Sequence, residues 1–137
     1  MGIRADLITF LHADSTIAGL VGTRIYGPRR PFSDTNADCI AFAITGSSDG
    51  HDLDGRGGWD NRELILNCRS KDYATAEQIA DAVRKRMKGY FGAIGSTTGY
   101  SVIIQDEFDD YDDPQDGSPD GQYVIGQRYM LIRKESL

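Results

Sequence analysis

The sequence predicts an α+β fold: an antiparallel sheet of about four strands with helices packed on one face, in the order α-α-β-β-α-β-β. Three observations carry this expectation. Short apolar or alternating runs fall in two neighbouring pairs, as hairpin strands do. One helical stripe separates the pairs, and two shorter helical patterns precede them. No composition shift or long linker divides the 137 residues, a length that suits a single domain over 1–137. Strand pairs joined by a helix bury their apolar side by packing the helix across one face of the sheet.

Residues 3–13 place Ile3, Leu7, Ile8, Phe10 and Leu11 at helical spacing. In "DSTIAGLVG" either Asp14 or Ser15 serves as N-cap and Gly22 as the stop of a short second helix. "RIYGPRRPFSDTNAD" is punctuated by Gly27, Pro28 and Pro31 and reads as an extended connector. The apolar run from Cys39 to Thr45 reads as a well-buried strand. In residues 62–70, Leu64, Leu66 and Cys68 alternate with polar neighbours, as in a half-buried strand. Asp72 can cap a helix over 73–89, where Ala76, Ile79, Ala80, Val83 and Met87 make one stripe. That stripe is expected to pack on Ile40, Phe42, Ile44, Leu64 and Leu66. Residues 100–108 and 121–134 are the last two strands, separated by the acidic "DDYDDPQDGSPD".

Composition removes several functions. Hydrophobic residues make up 39% of the chain, enough for a core. A net charge of −6 argues against a surface built to grip nucleic-acid phosphates or an anionic membrane. No apolar run approaches the roughly 20 residues of a membrane span. The N-terminal "MGIRADLITFLHAD" interrupts its apolar pattern with Asp6 and His12 and reads as no signal peptide, and Asp6 stands where a myristoylation motif wants Ser or Thr. Cys39 and Cys68 fall in apolar runs and read as reduced, buried thiols, in keeping with synthesis in a cytoplasm.

The stretch "GSSDGHDLDGRGGWDNR" poses the sharpest chemical question. It sets His51, Asp49, Asp52, Asp54 and Asp60 among glycines beside the single tryptophan, Trp59. A calcium loop fails, because the register from Gly50 puts glycine at the first ligand position and Asn61 at the twelfth. The register from Asp112 in the second acidic loop meets Pro114 at the third. Zinc or Cys-His chemistry would need partners at short spacing, which His12 and His51 lack. No phosphate-binding loop, nucleophile elbow or dinucleotide signature is present. No cofactor or metal is therefore assigned. The span 46–61 reads as a mobile hairpin connection of about fifteen residues, long enough to imply a use, with Trp59 as an anchor for a partner. The acids of 106–120 crowd a solvated turn. A small hydrolase or metal-binding protein using His51 and nearby acids is the alternative.

The ordered set "LITFLHADSTIAGLVGTRIYGPRRP", "CIAFAITGSS", "HDLDGRGGWDNRELILNCRSKDYATAEQIADAVRKRMKGYFG" and "GQYVIGQRYMLIRKE" resembles the tail-completion, or tail-terminator, family of long-tailed bacteriophages and prophages. The similarity spans nearly the whole chain, through "LVGTRIYG", "LDG", "YATAEQIADAVRKRM" and a late acidic hairpin. It implies a non-enzymatic virion protein that assembles as a homo-oligomeric ring, typically a hexamer, on the end of the tail tube. Such a ring ends tube polymerisation and joins the tail to the head and neck, so its partners are its own copies, the tube protein and a neck connector. DNA passes through its lumen without specific binding. Another neck connector protein is the neighbouring possibility. On this reading His51, Asp52, Asp54, Arg56, Trp59, Arg84 and Arg86 are candidates for the ring or partner interface. Asp109, Asp110, Asp112 and Asp113 are candidates for the lumen or partner-facing rim, or for pairing with Arg84, Lys85, Arg86 or Lys88 of the next subunit. The long acidic tip, 109–120 with its two prolines, departs from the family pattern.

Overall fold

The computed structural model describes residues 3–27, 38–49, 59–95, 97–112 and 121–134. Along them run α1 (Ile3–His12), α2 (Ser15–Val21), β1 (Ile25–Tyr26), β2 (Cys39–Asp49), β3 (Trp59–Ser70), α3 (Tyr73–Met87), β4 (Phe91–Ile94), β5 (Thr97–Asp112) and β6 (Gln122–Lys134). The strands form one sheet in the order β1-β2-β3-β6-β5-β4. β1 lies parallel to β2, and each remaining neighbouring pair is antiparallel.

The three predicted helices form for the reasons read from the sequence. Ile3, Leu7, Phe10 and Leu11 bury one side of α1. The Asp14 carboxylate accepts the N–H groups of Thr16 (2.9 Å) and Ile17 (3.1 Å), two donors that the first turn of α2 leaves unpaired. Gly22 then ends α2 at a positive φ of 61°. On α3 the residues Ala76, Ile79, Ala80, Val83 and Met87 are buried, and they join Ile40, Phe42, Leu64 and Leu66 in one core, with Ile44 packed at its margin. Asp72 stands at the N-cap, but its carboxylate takes the Thr75 hydroxyl at 3.0 Å instead of a backbone N–H.

The predicted layer of about four antiparallel strands with helices on one face is overturned. The sheet has six strands among the described residues, is mixed, and holds far more of the chain than the helices do. It also curls. α3 lies against β3, β6 and β5, while α1 touches both β1 and β4, the outermost strands of the order. Register shifts between Ile44 and Gly46 in β2 and between Ile104 and Asp106 in β5 mark bulges, which increase local twist. The two extra strands had no periodic signal. β1 is two residues in a proline-marked stretch, and β4 is four residues in the glycine-rich "YFGAIGSTTG". Such strands exist because a longer neighbour offers unpaired backbone, and their own alternation adds little.

Two boundaries also change. β2 continues to Asp49 and β3 begins at Trp59, so both flanks of the expected loop, 46–49 and 59–61, are paired hairpin strand. Residues 50–58 lie outside the described residues. At the other end β5 runs to Asp112, so Asp109 and Asp110 belong to a strand and not to a turn.

Candidate interaction surface

The outer part of β5 gathers the chemistry. The bulge after Ile104 changes the phase of the strand. Val102 and Ile104 face the helices opposite Leu131 and Tyr129, but beyond the bulge that side is taken by Glu107, Asp109 and Tyr111. Asp106, Phe108 and Asp110 turn to the other face of the sheet, opposite Arg128, Gly126 and Val124.

On the helix side, Glu107 accepts from the Arg84 guanidinium and from Nε2 of Gln127 at 2.7 Å. Gln127 is fully buried. Its Nε2 also donates to the Ala80 carbonyl of α3 at 2.9 Å, and its Oε1 accepts the Tyr129 hydroxyl at 2.8 Å. Arg84 completes the chain by donating to Asp81 at 2.7 Å. Gln127 and Tyr129, the buried members of this chain, have their side-chain polar groups paired, as burial requires. The hydrogen bond to Glu107 is the main cause that holds the Arg84 pKa above its ordinary value. Burial pushes the Tyr129 phenol up, and burial, reinforced by the Glu107 charge, pushes the Cys68 thiol up. A thiol so placed stays protonated and is no nucleophile. Neither Cys39 nor Cys68 is in a disulfide, and both are buried, as the sequence predicts.

Asp109 accepts the Tyr73 hydroxyl at 2.7 Å, and that hydrogen bond is the first cause pushing the Tyr73 pKa up to about 12. Tyr73 and Tyr111 each meet Tyr123 edge-on, with ring centroids 5.5 and 5.0 Å apart. The Tyr111 hydroxyl accepts the Gly121 N–H at 2.9 Å. The three tyrosines stay 37%, 43% and 38% exposed for Tyr73, Tyr111 and Tyr123, an aromatic patch at the acidic end of the sheet. On the opposite face Arg128 pairs with Asp106 at 2.9 Å and lies 4.9 Å above the Phe108 ring. That ring rests on Gly126, where a Cβ would run into it.

The structure places the sequence-predicted residues apart. Trp59 opens β3 opposite Lys134, and Asp112 closes β5 opposite Gln122. These pairings mark the two ends of β6, about 40 Å of strand at roughly 3.4 Å per residue. The tryptophan end of the 46–60 span and the acidic segment therefore do not form one site. His51, Asp52, Asp54, Arg56 and Asp113 lie outside the described residues. Arg84 is held by Asp81 and Glu107 of its own chain. Arg86 donates to the Phe10 carbonyl (3.0 and 3.2 Å) and stacks 3.8 Å over the Phe10 ring, fastening α3 to α1. Asp110 accepts the Tyr111 N–H at 2.8 Å. Sequence reasoning missed Gln127 and the tyrosines, although Tyr111 stands within the acidic stretch and Tyr123 three residues beyond it.

Among the described residues no three His, Cys, Asp or Glu side chains converge as a metal would require. His12 is exposed on α1. A groove of about 390 Å³ between α2 and α3 is lined by Asp14, Thr16, Leu20, Gln78, Asp81, Ala82 and Lys85. Its two carboxylates are occupied, one in capping α2 and one on Arg84. No helix among the described residues is long and apolar enough to cross a membrane.

No family model and no curated protein matches the chain. Among solved structures, a chain from the virion of a native gene transfer agent particle has a similar fold, with a TM-score of 0.74 at 18% identity. The match covers 96% of this chain and 94% of that one. At this identity the likeness is one of fold.

Proposed function

We propose that this chain is a structural protein of a long-tailed phage-type virion, acting as a tail terminator at the head–tail joint. Its copies close into a ring, a hexamer on the family pattern, that caps the tail tube, ends its growth and presents a surface to the neck connector. The ring leaves a passage for DNA, with the acidic end of β5 at the rim or lumen or in the join between copies, and the Trp59 end of the sheet turned to another component.

The observation that carries this reading is the whole-chain likeness of fold to a virion component, covering both chains almost end to end. The ordered sequence pattern points to the same class independently. An exposed tyrosine cluster beside an acidic strand is a surface of the kind that assembly uses, since aromatic residues supply contact area at low entropic cost.

Sedimentation of the purified chain, alone and with purified tail tubes, tests the proposal. A closed oligomer that binds tube ends and halts elongation is the expected result. A species that stays monomeric at tens of micromolar and ignores tube ends overturns it.

A further inference from the structure

Two long margins of the sheet meet no strand among the described residues. β4 pairs with β5 only between Thr97 and Ser101, and Val102 bonds to Tyr90 and Gly89. From Ile103 to Asp112 the outer edge of β5 has no described neighbour. On the far side β1 covers β2 at Ile40 and Ala41 alone. An unpaired edge of this length is a template for another chain, and monomeric proteins usually shorten or hide it.

The register shows that these margins are level with one another. One row across the sheet reads Asp109, Ile125, Cys68, Ile40, Ile25, and the next reads Phe108, Gly126, Asn67, Ala41, Tyr26. The acidic part of β5, which has no described neighbour on its outer side, thus ends the rows that β1 begins. β5 also runs opposite to β1: it is antiparallel to β6, which runs with β2 and therefore with β1. We propose that the bare edge of β5 receives β1 of a second copy as an antiparallel neighbour, setting Asp110 beside Arg24 and Phe108 beside Tyr26. This deepens the ring reading above and rests on it.

Charge selects this partner over the simpler one. β5 carries Asp106, Glu107, Asp109, Asp110 and Asp112 and has no Lys or Arg between Ile103 and Asp112. A two-fold pairing of β5 with itself would align acids with acids, which is unfavourable across a ladder. β1 supplies the opposite sign: Arg24 precedes it, Arg29 and Arg30 follow in sequence, and no acid comes before Asp34. The outer face beside the β5 edge also leaves Phe91 74% and Ile103 52% exposed, apolar surface of the kind that a contact covers. A β5-to-β1 join uses two different patches. It is therefore heterologous, and repeated it yields a ring when the rotation closes.

Opposed residues in an antiparallel pair have Cα atoms about 4.5–5.5 Å apart, within disulfide range. Two double variants, Arg24→Cys/Asp110→Cys and Tyr26→Cys/Phe108→Cys, are assembled, oxidised and run on non-reducing gels, with circular dichroism confirming the fold of each. The expected result is a covalent ladder up to the ring size from at least one double variant and none from the four single variants. A wild-type chain that assembles while neither double variant gives a ladder overturns the edge join and leaves the ring reading standing. A covalent dimer from Asp110→Cys alone reveals a two-fold join and also overturns it. A wild-type chain that never assembles, even with tail tubes, removes the ring reading itself.

Discussion

Replacing Gln127 by Leu tests whether the polar chain between α3 and the sheet stabilises the fold. The side chain makes three hydrogen bonds: to the Ala80 carbonyl, to Glu107 and from the Tyr129 hydroxyl. Leucine occupies a similar volume, so the change is one of polarity with little cavity formation. Tyr129 is fully buried, and its hydroxyl would lose its acceptor, at a cost of about 1–3 kcal/mol. The other two partners keep alternatives, because Glu107 retains Arg84 and the Ala80 carbonyl lies within the ladder of α3. Their loss adds about 1 kcal/mol. The sum, about 2–4 kcal/mol, corresponds to a fall in Tm on the order of 10 °C for a chain this size. Urea unfolding of Gln127→Leu, Tyr129→Phe and the double variant gives the measurement. In the wild-type background Tyr129→Phe leaves Gln127 Oε1 unpaired and destabilises. In the Gln127→Leu background it removes an orphaned hydroxyl and is close to neutral. An equal cost for Tyr129→Phe in both backgrounds would refute the network.

Three other outcomes are expected. Truncating Ile79 to Ala, fully buried where α3 meets the sheet, lowers unfolding stability by about 2–4 kcal/mol, and a change below a few tenths in urea titration contradicts the packing. The Tyr73 phenol, pushed up to about 12 chiefly by its hydrogen bond to Asp109, favours its neutral form in the fold. Its contribution is therefore complete below the ordinary tyrosine value near 10 and fades as pH rises toward 12; Asp109→Asn returns the Tyr73 titration, followed by NMR, toward 10, and an unmoved titration argues against the bond. Replacing Asp109, Asp110, Asp112 and Asp113 together by Asn leaves the fold intact by circular dichroism, and sedimentation at low and high salt reads the role of the acids. Loss of the ring supports the β5 junction, whereas an intact ring with weaker docking places these acids at the rim or lumen.

The helices were legible because each has a complete local signature. α3 shows a stripe of five apolar residues, and α2 shows an aspartate whose carboxylate does cap it. Strand identity was legible where alternation is sustained, as in Leu64, Leu66 and Cys68. The sheet's true width was not. β1 and β4 draw their order from neighbours that lie far along the chain or across a glycine turn, and nothing in two or four residues announces that. The acids of β5 misled for a related reason. Five carboxylates in seven residues suggest solvent and a turn, yet the strand continues because Arg84, Arg128 and Tyr73 meet three of them from other elements. Those partners stand 22 to 36 residues away in sequence, beyond any local pattern.

The bulge between Ile104 and Asp106 acts on β5 as a frameshift acts on a reading frame. A strand is read in steps of two, and one unpaired residue moves every later side chain to the other face. Were Gln105 to take a regular place in the ladder, the frame set by Val102 and Ile104 would carry through, and Glu107, Asp109 and Tyr111 would exchange faces with Asp106, Phe108 and Asp110. Glu107 would leave Gln127 and Arg84, and Phe108 would leave its seat on Gly126. A residue gained or lost elsewhere in β5 is thus a heavier lesion than most substitutions, because it relocates an entire charged segment at once, whereas loss of Gln105 itself would leave a regular strand with these faces kept. The strand tolerates changes of letter far better than changes of phase.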